Sequence, residues 1–360
     1  MSFNIVHIVS SLDRINFGIW NAAIFGSSYL HDRFSFKSEV WICQEEKSKE
    51  IHLSIPVVWV GDTTARQTVI ENLRKKKLTP QNTLVVTHGC WLMPTRLGSK
   101  LKDLGFRWLY VPHGMLEPWS LKQGRIKKLL YFYFYERSAI KKATRIRAVS
   151  EEEQKNLLKK LGGHIDLVEN GVQVSALQQK NADEEIYLFM ARLHHKKGIF
   201  PLVKAWHQVM ANVKNKTLVI AGPDEGELNK IQPFLGNNIQ YVGAIYGEEK
   251  IALLKRAHYF VLPSFSEGFP TSVLEAMSYG LIPLISDGCN FNQVFSEGLG
   301  YKVEPDPVNI GLVLQDLKEK EFDKSLSLKN HQYILNHYSE ARIGEKLFNL
   351  YSEMMNSAFT

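Results

Sequence analysis

Residues Ile186 to Ala211 read IYLFMARLHHKKGIFPLVKAWHQVMA, and the reading of this stretch decides the fold. Its start, Ile186 to Met190, is a short β-rich apolar run. A basic turn, Ala191 to Gly198, follows it. Apolar residues then recur at helical spacing from about Phe200 to Ala211. Strand, turn and amphipathic helix make one βα unit, the crossover that parallel strands require.

The same rhythm continues on both sides. Downstream, strands are expected at Thr217 to Ala221, Ile239 to Val242, Tyr259 to Leu262 and Ile282 to Ser286. Upstream, the turn dipeptide Asn170-Gly171 and the polar segment Gln178 to Glu185 mark a hinge. Before it come Asn4 to Val9, a helix over Ile19 to Leu30, Ser38 to Cys43, Pro56 to Val60, Thr83 to Thr87, Trp108 to Pro112 and Arg145 to Ala148. The expectation is an α/β protein of two doubly wound, Rossmann-like domains, residues 1–170 and 171–339. The helical stretch Glu340 to Met355, within 340–360, is expected to pack back on the first domain.

Composition agrees with a two-domain chain: 360 residues, 44% hydrophobic and 22% charged. No apolar run is long enough for a bilayer span, and Met1 to Ser11 has neither a basic start nor a cleavage-like site. Cys43, Cys90 and Cys289 are scattered without metal-ligand spacing and fit free thiols. A cytoplasmic location is the expectation. The formal charge of +7 suggests an anionic partner. It is concentrated in Trp119 to Arg147, where nine cations from Lys122 to Arg147 face one acid, Glu136. No recognisable nucleic-acid reader motif accompanies them, so nucleic acid is not expected as a partner.

Ligands of open α/β sheets sit at the carboxyl ends of strands, which directs attention to three loops of the second half. In the first, Arg192 and Lys197 suit one anion, Arg by a hydrogen-bond fork and Lys as a point charge; a solvated basic turn has the same composition. The second, Ser264 to Ser272, leads into a helix carrying Glu275 and aims backbone amides at its own concavity, an arrangement that favours phosphate. Glu267 and Glu275 are separated by seven residues. Ser272 to Glu275 also spells a capping box, in which Glu275 bonds back to the helix start. The third loop, Ser286-Asp287-Gly288-Cys289-Asn290, reads as a polar turn.

Arg192 with Lys197, then Glu267-Gly268-Phe269-Pro270 through Glu275-Ala276-Met277, resembles the signature of family-4 glycosyltransferases, and the likeness covers most of the chain. The resemblance implies a GT-B fold, its two domains facing across a cleft, and retention of anomeric configuration. It also implies a donor site in the second domain for a UDP- or GDP-sugar. Carried over, Glu267 contacts the transferred sugar, Glu275 the ribose, and Arg192 and Lys197 the leaving diphosphate. Amides near Gly268, Phe269, Thr271 and Ser272 assist. Tyr241-Val242-Gly243 lines the nucleobase.

In the first half, His88-Gly89 and Pro112-His113-Gly114 each end a strand. His88 is read as structural. The segment YVPHGMLEPWSLK around His113 resembles that of bacterial polysaccharide and O-antigen transferases, which implies that His113 faces the donor sugar. Gly18, in Asn16-Phe17-Gly18, stands where relatives have a glycine-rich loop near the phosphates. The aromatic run Leu129 to Tyr135, rimmed by cations, suits either a core helix or docking on the anionic inner face of the cytoplasmic membrane. The acceptor that the resemblance implies is a glycan or a polyprenyl-diphosphate-linked sugar. No cofactor and no metal is expected, since two cations and helix amides replace one. Another GT-B activity, a sugar-nucleotide 2-epimerase or a phosphorylase, uses the same diphosphate grip. A non-catalytic sugar-nucleotide or lipid-binding subunit is the alternative of another class.

Overall fold

The computed structural model describes residues 3–13, 17–44, 53, 55–61, 66–91, 93–116, 130–181 and 183–357. The chain divides into two compact units, Met1–Gly171 together with Glu340–Thr360, and Val172–Ser339.

In the first unit seven strands form one parallel sheet: β1 (Asn4–Val9), β2 (Lys37–Ile42), β3 (Val57–Trp59), β4 (Thr83–His88), β5 (Arg107–Val111), β6 (Arg145–Ala148) and β7 (Ile165–Leu167). Their order is β3-β2-β1-β4-β5-β6-β7. Every residue of β4 and β5 is buried, because helices cover both faces of a sheet built by crossovers. Register sets Val86 beside both His7 and Leu109. The helix expected over Ile19 to Leu30 is two helices, Phe17–Ile24 and Ser27–Phe34. They part at Gly26, whose φ of 81° is open to glycine at no steric cost. Strand β7 has too few residues to show a period in the sequence.

Helix Glu340–Asn356 belongs to this unit and touches helix Ser27–Phe34 and β4. Ile343, Leu347, Leu350, Tyr351 and Met354, spaced by three or four residues, are its buried face. Phe348 stacks on Phe34 at 3.7 Å between ring centroids, and Arg145 binds Glu353 at 2.8 Å.

The second unit repeats the plan with β8 (Glu185–Met190), β9 (Lys216–Ala221), β10 (Ile239–Gly243), β11 (Tyr259–Leu262), β12 (Ile282–Ile285) and β13 (Tyr301–Lys302). The order is β10-β9-β8-β11-β12-β13, again all parallel. Helix Ile199–Met210 lays Leu202, Val203, Trp206 and Met210 on the sheet. Each aliphatic side chain so buried stabilises by about 1.5–3 kcal/mol. Trp206 meets Tyr187 of β8 edge-on at 5.0 Å.

In both sheets the winding direction reverses at the first strand, between β1 and β4 and between β8 and β11. The carboxyl ends of the strands at such a reversal are where ligands of open α/β sheets bind. No helix among the described residues is long and apolar enough to cross a membrane.

Candidate functional site

The loop after β8 carries the two expected cations to different partners. Arg192 Nη1 donates to Glu225 Oε1 and Oε2 at 2.7 and 2.8 Å. Lys197 Nζ donates to Glu267 Oε1 and Oε2 at 2.6 and 2.7 Å. Convergence on one anion is therefore not the arrangement of the ligand-free chain; each cation already holds a carboxylate. The Lys197–Glu267 pair is the more enclosed, with side chains 15% and 11% exposed against 47% for Arg192.

The β8 and β11 loops, which flank the reversal point, are stitched together by backbone. Lys196 O accepts from Phe265 N at 2.8 Å and from Ser264 Oγ at 3.0 Å. The third loop secures the second from the other side. Gly288 O accepts from Glu267 N at 2.6 Å, and Asn290 Nδ2 donates to Glu267 O at 2.7 Å. Asn290 reaches it from a left-handed φ of 55°, a conformation that asparagine tolerates better than most residues. Gly288 lies so close to the β11 loop that a Cβ there would stand 2.3 Å from Ser264 O. The stretch from Ser286 to Asn290 is thus a buttress under Glu267, more than a polar turn.

Helix Thr271–Ser278 follows. The capping box is absent: the helix begins one residue earlier than Ser272, Pro270 occupies the cap and no side chain caps it. Glu275 instead sits in the second turn and pairs with Lys250 Nζ at 2.6 Å. Thr271 N, one of the expected anion donors, is spent on Phe269 O at 2.9 Å. Among the described residues, the amides of Phe269 and Ser272 have no acceptor. Phe269 packs its ring on Phe291 and Tyr338, and Gly268 and Pro270 complete the turn. On β10, Tyr241 OH donates to Gly222 O at 3.0 Å, while Val242 is exposed.

Glu225 and Lys250 escaped the sequence reading, which has Asn290 only as part of a polar turn. Glu225 lies in the turn Gly222-Pro223-Asp224-Glu225-Gly226 after β9, where Asp224 Oδ1 accepts the amides of Gly226, Glu227 and Leu228. Its signal was position: β9 neighbours β8, so its carboxyl end opens beside Arg192.

In the first unit Gly18 is a correction. It lies in the first turn of helix Phe17–Ile24, exposed, and not in a loop. Asn16 lies outside the described residues. His113 follows β5 with φ 53°, and its Nε2 is 2.9 Å from His88 Nδ1. His88 Nε2 is in turn 3.1 Å from His7 Nδ1. Burial, with the Arg147 charge second, pushes His7 down to about 3 and lowers His113. Burial and the adjoining His113 hold His88 well below its usual value. The aromatic run is both core and surface: Phe132 is buried, whereas Tyr133, Phe134 and Tyr135 are 62%, 71% and 68% exposed. Lys122, Arg125, Lys127, Lys128 and Leu129 lie outside the described residues. The three cysteines are free and buried.

Residues 175–339 match the family described as Glycosyl transferases group 1. An uncharacterized glycosyltransferase of Methanocaldococcus jannaschii is 30% identical over 204 residues, 50% of this chain and 48% of that protein. The GDP-mannose:cellobiosyl-diphosphopolyprenol alpha-mannosyltransferase of Xanthomonas campestris is 28% identical over 50% of each chain. The chain thus spans about half the length of the curated relatives it matches. Among solved structures, Anabaena HepE in complex with UDP and glucose superposes with a TM-score of 0.74 at 15% identity, covering 98% of this chain and 100% of that one. The sucrose-phosphate synthase of Thermosynechococcus elongatus gives 0.78 at 18% identity, covering 98% and 99%. These likenesses establish the GT-B fold.

Proposed function

We propose, from a second unit whose residues 175–339 match the glycosyl transferases group 1, that this chain moves a sugar from a nucleoside-diphosphate sugar to a hydroxyl of a glycan acceptor. The observation that carries the reading is the meeting of Lys197 and Glu267, 2.6 Å apart, from the two loops that flank the reversal point of the second sheet. A cation and a carboxylate are thereby fixed where an activated sugar would lie.

Cleaving the bond between the anomeric carbon and the diphosphate oxygen builds negative charge on the leaving group. Fixed cations lower that barrier because the charge they meet grows toward the transition state. Lys197 and Arg192 take this role, with the amides of Phe269 and Ser272, and we assign no metal to it. Glu267 orients the transferred sugar and Glu275 the ribose. The configuration is retained: the acceptor oxygen bonds to the anomeric carbon on the face the diphosphate leaves. Its proton passes to the departing phosphate oxygen. His113 is assigned to the reacting groups by its resemblance to polysaccharide and O-antigen transferases.

The product would be a bacterial surface polysaccharide, assembled on a lipid-linked acceptor such as the diphosphopolyprenol named for the Xanthomonas relative. Exposed Tyr133, Phe134 and Tyr135 support docking on the cytoplasmic face of a membrane, since aromatic rings partition into the headgroup region. Flotation with anionic and neutral vesicles tests this, and no preference for the anionic ones would count against it. The reaction itself is tested by a thermal-shift screen of UDP-, GDP- and ADP-sugars, because a ligand of the folded state raises the melting temperature. One nucleotide series is expected to shift the wild type and not Arg192→Ala. No shift by any of them would overturn the reading.

A further inference from the structure

Three imidazoles form a hydrogen-bonded line through the first unit. His7 Nδ1 stands 3.1 Å from His88 Nε2, and His88 Nδ1 stands 2.9 Å from His113 Nε2. His7, on β1, and His88, ending β4, are buried; His113, beyond β5, is partly exposed. The strands β1, β4 and β5 are neighbours, so the line runs across the sheet next to its reversal point. At the inner end, His7 Nε2 is buried without a hydrogen-bond partner. At the outer end, Nδ1 of His113 has no partner among the described residues.

Proton counting leaves this line only two states. A neutral imidazole carries one N–H, so three rings carry three protons. Each of the two contacts takes one, and His88 can supply only one of them. The third proton then sits either on His7 Nε2 or on His113 Nδ1. On His7 it would be a buried donor with nothing to receive it, an arrangement proteins rarely contain. On His113 it meets solvent or ligand. Burial and the guanidinium of Arg147, which faces the line and itself donates to Val168 O and Glu169 O, keep the rings uncharged, so the count holds.

We propose that His88, whose Nε2 is occupied by His7, is a positioning residue that fixes His113 as the Nδ1–H tautomer, so that its outer edge donates a hydrogen bond to an oxygen of the bound sugar substrate. The identity of that ligand rests on the proposed function; the tautomer rests on the line alone. Because the inner nitrogen touches no group that can take or give a proton, the line is not a proton conduit. It imposes a direction, with each ring donating outward to the next. The left-handed φ of His113, uncommon for a residue with a side chain, holds the last ring in line.

Nitrogen-15 imidazole spectra of the ligand-free full chain at neutral pH test the tautomer, with His113 assigned by the signals lost in His113→Gln. The expected result is a protonated Nδ1 and a bare Nε2. His88→Phe takes away the N–H that His113 Nε2 accepts; it should leave His113 a mixture of tautomers and raise KM for the donor about tenfold, equivalent to about 1.4 kcal/mol, with a smaller change in kcat. A protonated Nε2 on His113 in the wild type, or a His113 signal in His88→Phe identical to it, would overturn the proposal. Should His88→Phe fail to fold, the wild-type spectrum decides. If no nucleotide sugar reacts, the functional reading fails while the tautomer still stands or falls by its own spectrum.

Discussion

Nη1 of Arg192 serves both carboxylate oxygens of Glu225, at 2.7 and 2.8 Å, so the guanidinium proposed to hold a diphosphate is already engaged. An incoming diphosphate has to displace that carboxylate or share the cation with it. The pair is half exposed, where such contacts contribute about 0.2–1 kcal/mol. Glu225→Gln is therefore expected to tighten nucleoside-diphosphate binding by up to about fivefold, with the melting temperature nearly unchanged. Titration calorimetry at two salt concentrations checks it, and the gain should shrink at the higher one. Equal affinities at low salt would mean that the diphosphate does not reach Arg192.

Lys197 and Glu267 are coupled more tightly, since both are largely enclosed. Lys197→Met strands the Glu267 carboxylate and removes the proposed leaving-group cation together. We expect a lower melting temperature and a fall in kcat of about 10²- to 10³-fold, the usual effect of losing one stabiliser of developing charge. The double variant Lys197→Met/Glu267→Gln separates the two effects. It leaves no unpaired charge and should recover the melting temperature while turnover stays low. Recovery of turnover along with stability would reduce Lys197 to a structural role.

The fate of Glu275 shows where sequence reasoning stops. Ser272 to Glu275 has the spacing of a capping box, but capping requires Ser272 outside the helix, and Pro270 at the cap draws the helix start to Thr271. With no cap to lose, Glu275→Ala should cost less than about 1 kcal/mol, the contribution of its partly exposed contact with Lys250. Donor affinity should nevertheless fall. A stability loss near 2 kcal/mol in urea unfolding, with affinity intact, would restore the capping reading.

The succession of strands along the chain and the loops that matter were legible because apolar period and glycine-bearing turns are local signals. The strands from Ile186 to Met190 and from Tyr259 to Leu262 are recovered almost to the residue. Partners across the sheet were not legible. Nothing near Arg192 in sequence points to Glu225, and nothing near Glu275 points to Lys250, because those contacts arise only when parallel strands align. The same holds for the line of His7, His88 and His113: the sequence reading takes His88 as structural, has His113 only by resemblance and leaves His7 unread, because their contacts arise only when β1, β4 and β5 align. Two-residue and three-residue strands such as β13 and β7 carry too little pattern to be read.

Acid should destabilise the first unit through its buried histidines. Burial holds the folded His7 at about 3, whereas an unfolded imidazole titrates near 6.5. Below about 6.5 the unfolded chain binds a proton that the folded chain refuses, so this stabilisation is complete above that pH and is lost as pH falls toward 3. Each such ring contributes a slope of up to ~1.4 kcal/mol per pH unit. Urea midpoints should drop between about pH 6.5 and 5, and His7→Phe should flatten the drop. An unchanged slope in that variant would show that His7 titrates freely in the folded chain.

Gly288 offers a test of the loop assembly that leaves every charged group in place. A Cβ there would stand 2.3 Å from Ser264 O and 2.8 Å from Phe265 O, both backbone atoms with little room to yield. The β12 loop must then withdraw, and with it the carbonyl that accepts Glu267 N at 2.6 Å. Glu267 and Lys197 move as a pair, so their contact survives while their position shifts. Misplacing reacting groups by about 1 Å costs on the order of 10²-fold in rate. Overpacking costs about 1–3 kcal/mol, and Gly288→Ala should therefore lose far more turnover than its melting temperature accounts for. Assays well below the melting transition separate the two, and turnover that falls only in step with the folded fraction would deny the buttress any part in placing Glu267.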